Sequence, residues 1–173
     1  MAVTDQGHRQ KGVPMQFAIR PNPAALDDAA RTALMADPGF GRVFTDHMVT
    51  IRWTEGEGWH DAQVRPREPF QMDPASAVLH YAQEIFEGLK AYRAEDGGIT
   101  LFRPEQNARR FNASARRLAM PELPEDLFVQ ACEELICIDR AWVPEGDGSF
   151  YLRPFMFANE VFLGVKPASD FIF

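Results

Sequence analysis

Residues 78–110 read VLHYAQEIFEGLKAYRAEDGGITLFRPEQNARR, a stretch that few folds can accommodate. Ile85, Glu87, Leu89, Ala91 and Arg93 alternate with Phe86, Gly88, Lys90 and Tyr92, which is the period of a strand. Glu95-Asp96-Gly97-Gly98 carries turn chemistry, because glycine takes positive φ without a steric cost. Ile99-Thr100-Leu101-Phe102 is β-branched and apolar, so it reads as the returning strand. Pro104 suits the first position of a helix, where its missing N–H costs nothing. The stretch therefore predicts a strand, a tight turn, a second strand and a helix start, in that order.

The flanking chain extends this pattern. Residues 1–20 are polar and mixed and predict a loose leader with an anchor at Phe17-Ala18-Ile19. A helix is expected from Pro23, capped by Asn22, with Leu26, Ala30, Ala33 and Leu34 as its apolar stripe. Residues 43–53 have strand character with an imperfect phase that suggests a bulge. Glu55-Gly56-Glu57-Gly58 then turns the chain into a short return at Gln63-Val64-Arg65. Pro66, Pro69 and Pro74 reduce the segment after it to an edge strand or a loop.

Beyond the central stretch, residues 104–118 predict a helix with Phe111, Ala115 and Leu118 facing the core. A second helix over 124–142 carries the stripe Leu127, Phe128, Ala131, Leu135, Ile138 and Trp142. Residues 149–158 read as one central strand, and Phe171-Ile172-Phe173 as the start of another. Hairpins and helices in separate blocks imply an α+β fold, a mostly antiparallel sheet with packed helices. The expected division is an N-terminal extension with one helix over 1–38 and a small α+β domain over 39–173.

Bulk properties narrow the function. A chain of 173 residues holds one ordinary domain or one piece of a larger protein, and 46% hydrophobic residues with 14 Phe suffice for a core. The net charge of −7 argues against nucleic acid as the main partner. No apolar window of roughly 18 residues occurs, so no membrane span is expected, and no apolar leader marks the start for secretion. Cys132 and Cys137 lie on different sides of one predicted helix, which argues against a disulfide and fits the reducing cytoplasm.

The candidate chemistry is sparse. His8, His47, His60 and His80 are scattered, without ligand spacing, so no metal site is expected. None of the CxxC, GxSxG or HExxH patterns occurs. Gly97-Gly98 lies in a hairpin rather than between a strand and a helix, so it is no phosphate cradle. What remains is arginine and rings. Arg109 and Arg110 fall in the second turn after Pro104, where a guanidinium could clamp a phosphate at two points or simply solvate a helix face. Tyr151 and Arg153 share one side of a strand and could close over a carboxylate, or be a core ring with an ion-paired arginine. Tyr81 and Phe86 flank a strand entry, and Glu87 and Lys90 read as surface charges.

Three stretches, LHYAQEIFEGLKAYR, LFRPEQNARRF and YLRPFMFANEVFLGV, resemble the N-terminal domain of branched-chain amino-acid aminotransferases, which are fold-type IV enzymes using pyridoxal 5′-phosphate. Phe40 to Met48 and the Gly58-Trp59 turn fit the same family, and the likeness runs over residues 39–173. The resemblance implies transfer of the amino group of leucine, isoleucine or valine to 2-oxoglutarate by a cytoplasmic homodimer, with those amino acids, glutamate and their 2-oxo acids as small-molecule partners. It implies that Arg110 holds the cofactor phosphate. It assigns Tyr81, Phe86 and Tyr151 to the pocket around the substrate side chain and carboxylate, with Arg153 supporting them and Phe40 as a further aromatic wall. Leu163, Gly164 and Val165 match a loop that closes the neighbouring subunit's pocket.

The chemistry also needs a lysine that forms a Schiff base and shuttles a proton. Here the lysines are Lys11, Lys90 and Lys166, none at the family's catalytic position. The reactive lysine is expected in a C-terminal domain that follows, so the chain is expected to be inactive alone. Two alternatives stand beside this reading: a D-amino-acid aminotransferase or aminodeoxychorismate lyase relative, and a non-catalytic binding or assembly module with the same fold.

Overall fold

A computed structural model describes residues 15–173. The loose leader expected over 1–20 therefore lies mostly outside the described residues, as do His8 and Lys11. The described chain is α+β, as its hairpins and helices predict. Among the described residues nine strands form two sheets. They are β1 (Ala18–Ile19), β2 (His47–Thr54), β3 (Gly58–Pro66), β4 (Glu84–Phe86), β5 (Leu89–Arg93), β6 (Ile99–Leu101), β7 (Phe150–Leu152), β8 (Phe155–Ala158) and β9 (Asp170–Ile172). The larger sheet runs β1-β3-β2-β9-β8-β4 and the smaller β6-β5-β7. Among the described residues every strand pairing is antiparallel except β1 with β3.

Helices α3 (Pro104–Arg117) and α4 (Glu125–Ile138) pack on each other, and α4 packs on β2. Phe111, Phe128 and Phe173, from α3, α4 and the chain beyond β9, form a triangle of rings with centroids 5.5, 5.6 and 5.9 Å apart. Phe111 and Phe128, with Ile51, Val64, Leu123, Met156 and Phe171, make the most deeply buried part of the core.

Several local expectations are corrected. The first helix, α1, spans Asp28–Met35 and is capped by Asp27, whose carboxylate accepts from the Ala30 N–H at 2.8 Å. Asn22 is drawn elsewhere: its N–H donates to His47 Nε2 and its side-chain amide to the Asp46 carbonyl. The stripe on α1 buries nothing, and Leu26 and Leu34 are exposed. The strand expected over 43–53 begins only at His47, and its bulge falls between Thr50 and Arg52. Its return, β3, is longer than the three residues expected. Residues 78–81 are not strand: α2 (Ala77–Tyr81) is a short helix that Ala82 ends in the left-handed conformation at φ 52°. Leu118 is not core, because it lies one residue past α3 with non-helical φ and ψ. The long second helix stops at Ile138 and continues as a 3₁₀ turn, Arg140–Trp142.

The largest difference concerns the two strands expected over 85–93 and 149–158. Each is cut in two. The chain leaves the large sheet after β4 and enters the small one at β5; likewise β7 belongs to the small sheet and β8 to the large. The breaks, Glu87-Gly88 and Arg153-Pro154, face each other, and the Glu87 N–H donates to the Pro154 carbonyl at 2.8 Å. Period alone does not separate one bent strand from two, because the alternation persists through the corner.

Candidate functional site

The paired corners bring chemistry together because they force a charged side chain inward. Glu87 shares its phase with Ile85, Leu89 and Ala91, all buried, and its own side chain is only 3% exposed. A carboxylate there needs donors on every side. It has them. Arg110 Nε donates to Oε1 at 2.6 Å and Arg110 Nη2 to Oε2 at 2.7 Å, a two-point clamp. Asn107, one turn earlier on α3, donates to Oε2 at 2.9 Å and to the Gly88 carbonyl at 3.3 Å. Burial pushes the Glu87 carboxyl up, but the bonds from Arg110 and Asn107 outweigh it and leave it below the usual carboxylate range. The same bonds, from the other side, raise Arg110.

Arg110 itself is not buried. Its side chain is 69% exposed, and the bonds to Glu87 use only the Nε and Nη2 edge. Nη1 has no hydrogen bond to protein among the described residues. The residue is thus a fixed cation with one edge turned to solvent. Arg109, its neighbour, pairs instead with Glu125.

The rings gather on the other side of the same corner. Phe40 meets Tyr151 edge to face with centroids 5.4 Å apart. Arg153 donates to the Tyr151 hydroxyl at 3.1 Å and lies 4.5 Å over the Phe86 ring and 5.5 Å from the Tyr151 ring. A Cβ at Gly88 would overlap the Tyr151 hydroxyl, so glycine there is a matter of space. Lys90 is the cross-strand partner of Tyr151. Phe40, Tyr151, Arg153 and Lys90 border a cleft of about 840 Å³ whose other walls include Phe44, Leu135 and Trp142.

Tyr81 falls elsewhere. Its ring contacts are with His80 and with Phe162, the latter stacked at 5.9 Å. Phe162 immediately precedes Leu163 and Val165, which are 69% and 99% exposed. The expected site residues therefore form two groups: Arg110, Phe86, Tyr151, Arg153 and Phe40 around the corner, and Tyr81 with Leu163 and Val165 on an apolar promontory.

Glu87, expected as a surface charge, is buried, and Asn107, Gly88 and Phe162 carry contacts that the sequence pattern does not single out. Glu87 had a signal, since a charge in phase with three apolar strand positions asks for a partner. Asn107 and Arg110 stand three apart on a helix, the spacing that faces one target. His47, by contrast, is structural: its Nδ1 lies 2.6 Å from Asp139 and both are buried. Cys132 and Cys137 are free thiols, and burial, with Glu133 nearby, pushes Cys132 up to about 12. Among the described residues no helix is long and apolar enough to cross a membrane.

Comparison with known proteins gives the site a context. No family model matches the chain. The chain is 60% identical over 157 residues to a probable branched-chain-amino-acid aminotransferase of Streptomyces coelicolor, covering 90% of this chain and 43% of that protein. It is 54% identical over 160 residues to the branched-chain-amino-acid aminotransferase of Mycolicibacterium smegmatis, covering 91% of this chain and 44% of the relative. The chain thus spans less than half the length of these curated relatives. The crystal structure of the Escherichia coli branched-chain amino acid aminotransferase superposes with a TM-score of 0.52 at 27% identity, over 70% of this chain and 38% of that one. The three stretches that carry the resemblance meet in space around Glu87, and the chain belongs to the branched-chain amino-acid aminotransferase family.

Proposed function

We propose that the chain supplies one domain, residues 39–173 after an extension over 1–38, of a cytoplasmic, homodimeric branched-chain aminotransferase that uses pyridoxal 5′-phosphate. The observation that carries this reading is the arrangement about the Glu87 corner: a guanidinium fixed by Glu87 with one edge free, and, starting at the adjacent residue, Phe86, a set of rings that holds a second guanidinium. The first suits a phosphate and the second a carboxylate. A molecule with a phosphate at one end and an apolar, carboxylate-bearing partner at the other fits that pair of cations.

In this reading Arg110 holds the cofactor phosphate through its outer edge. Phe40, Phe86 and Tyr151 form an apolar wall for a branched side chain, at about 0.8 kcal/mol for each buried methylene. Arg153 and the Tyr151 hydroxyl receive a carboxylate. Tyr81, stacked on Phe162, goes with Leu163 and Val165 to the loop that closes a neighbouring copy's pocket, rather than with Tyr151. When bound, the cofactor supplies the electron sink for amino transfer. The chain's own residues bind it, orient it and exclude water from it. We propose that none of Lys11, Lys90 and Lys166 provides the reactive amine. Lys166 is held by Glu160 at 2.7 Å. Lys90 stands beside Tyr151 on the exposed face, so it is the one to test.

The experiment is a titration of the chain with pyridoxal phosphate, followed by borohydride. Binding is expected to weaken about tenfold or more in Arg110→Ala, through loss of a charged partner. Unchanged affinity would remove Arg110 from the phosphate. Borohydride is expected to leave no stoichiometric adduct, and a stoichiometric adduct on Lys90 would overturn the assignment of its role.

A further inference from the structure

We propose that Glu87 is a positioning residue for anion binding: by taking the Nε and Nη2 edge of Arg110 it turns the Nη1 edge outward, toward a phosphate monoester. The inference rests on the reading of Arg110 as the phosphate-binding residue, and it adds to that reading the group that aims the arginine.

The geometry supports a built orientation rather than a chance ion pair. The carboxylate is almost wholly buried while its partner is mostly exposed, so the fixed member is Glu87 and the aimed member is Arg110. Glu87 cannot follow the arginine. Its backbone N–H is held by Pro154, its Oε2 is shared with Asn107, and Asn107 is tied in turn to the Gly88 carbonyl. Asn107 and Arg110 come from the same face of α3, so the clamp also sets the roll of that helix against the corner. A free arginine on a helix surface samples many rotamers, and ordering it on binding costs entropy. Here most of that ordering is already present in the fold.

The proposal makes a signed prediction that simple electrostatics opposes. Glu87 is negative and stands next to the intended anion site. Were it only a neighbouring charge, Glu87→Gln would remove repulsion and tighten phosphate binding. If it aims Arg110, the same substitution loosens binding. Glutamine offers one acceptor oxygen, and its amide group would face the Arg110 or Asn107 donors, so the two-point clamp is broken.

The test uses the chain with inorganic phosphate and pyridoxal phosphate as separate probes, followed by the shift of the arginine side-chain N–H signals in NMR, which reads millimolar binding. Wild type is expected to show a saturable shift of the Arg110 signals with both probes. Glu87→Gln is expected to weaken both about fivefold or more, with Glu87→Asp recovering part of the loss because the charge is kept. In an Arg110→Lys background the effect of Glu87→Gln should vanish or reverse, because an ammonium has no fork to orient. That reversal is the readout a merely structural role would not give. A wild-type chain without any phosphate-dependent shift at Arg110 would overturn the phosphate reading itself. A wild-type shift together with equal or tighter binding in Glu87→Gln would overturn the positioning role alone, as would an equal loss in the Arg110→Lys background. Glu87→Asp serves as the folded comparison if the glutamine variant melts early.

Discussion

At the scale of single residues, the clamp on Glu87 ties the corner to acid stability. Glu87 has its carboxyl held below its ordinary value of 4.5, so its bonds stabilise the folded chain when the carboxylate is ionised. That contribution is full above the unfolded carboxyl value and is lost as pH falls through the lower folded one. Urea unfolding followed from neutral pH downward should therefore show stability falling in the acid range below 4.5. In Glu87→Gln the fall should be shallower, on a chain already weaker at neutral pH, and an identical slope would separate Glu87 from the effect. Tyr151 gives a second residue-scale prediction. Its hydroxyl accepts from Arg153, while its ring meets Phe40. In an enzyme assembled with the rest of its family's length, Tyr151→Phe should raise KM for the acidic co-substrate several-fold more than for leucine, since only the polar handle is lost. Equal effects on the two substrates would place the hydroxyl away from the carboxylate.

At the scale of elements, the packing of α3 and α4 against the end of the large sheet decides whether the corner exists. Phe128 is fully buried between Phe111 and Phe173, and Phe111 follows Arg110 directly. Phe128→Ala should cost about 3–5 kcal/mol in urea unfolding. It should also loosen Arg110, whose helix it supports, even though the two residues do not touch. The elements themselves were mostly legible from period and turn chemistry: the hairpin at Gly97, whose φ is 81°, and the start of α3 at Pro104 fell where the sequence puts them. The corners were not. Ile85 to Arg93 keeps strict alternation across a change of sheet, and nothing local says that the Glu87 N–H will donate to the Pro154 carbonyl. The ring contacts of Tyr81 were not legible either, since a helical turn at α2 brings it against Phe162. Such errors arise wherever long-range pairing, rather than local preference, chooses the partner.

For the whole molecule, the consequence is apolar side chains left at the surface. Phe40, Phe86, Leu163 and Val165 are all well exposed, and Val165 is open on every side. A single exposed apolar residue means little, but Leu163 and Val165 project together beyond the stacked pair Phe162 and Tyr81. In a two-fold dimer each such residue is buried twice, once from each copy, and full burial of a valine or leucine side chain is worth about 1.5–3 kcal/mol. The chain should therefore associate with itself at micromolar concentration, and sedimentation velocity should resolve a dimer whose share rises with concentration. Leu163→Asp with Val165→Asp should return it to monomer without lowering its melting temperature, because neither side chain contributes to the core. A chain that stays monomeric throughout would argue against the loop as a contact between copies. Association undiminished in the double variant would transfer the contact to the rings around Phe40 and Phe86, leaving the promontory without its proposed role.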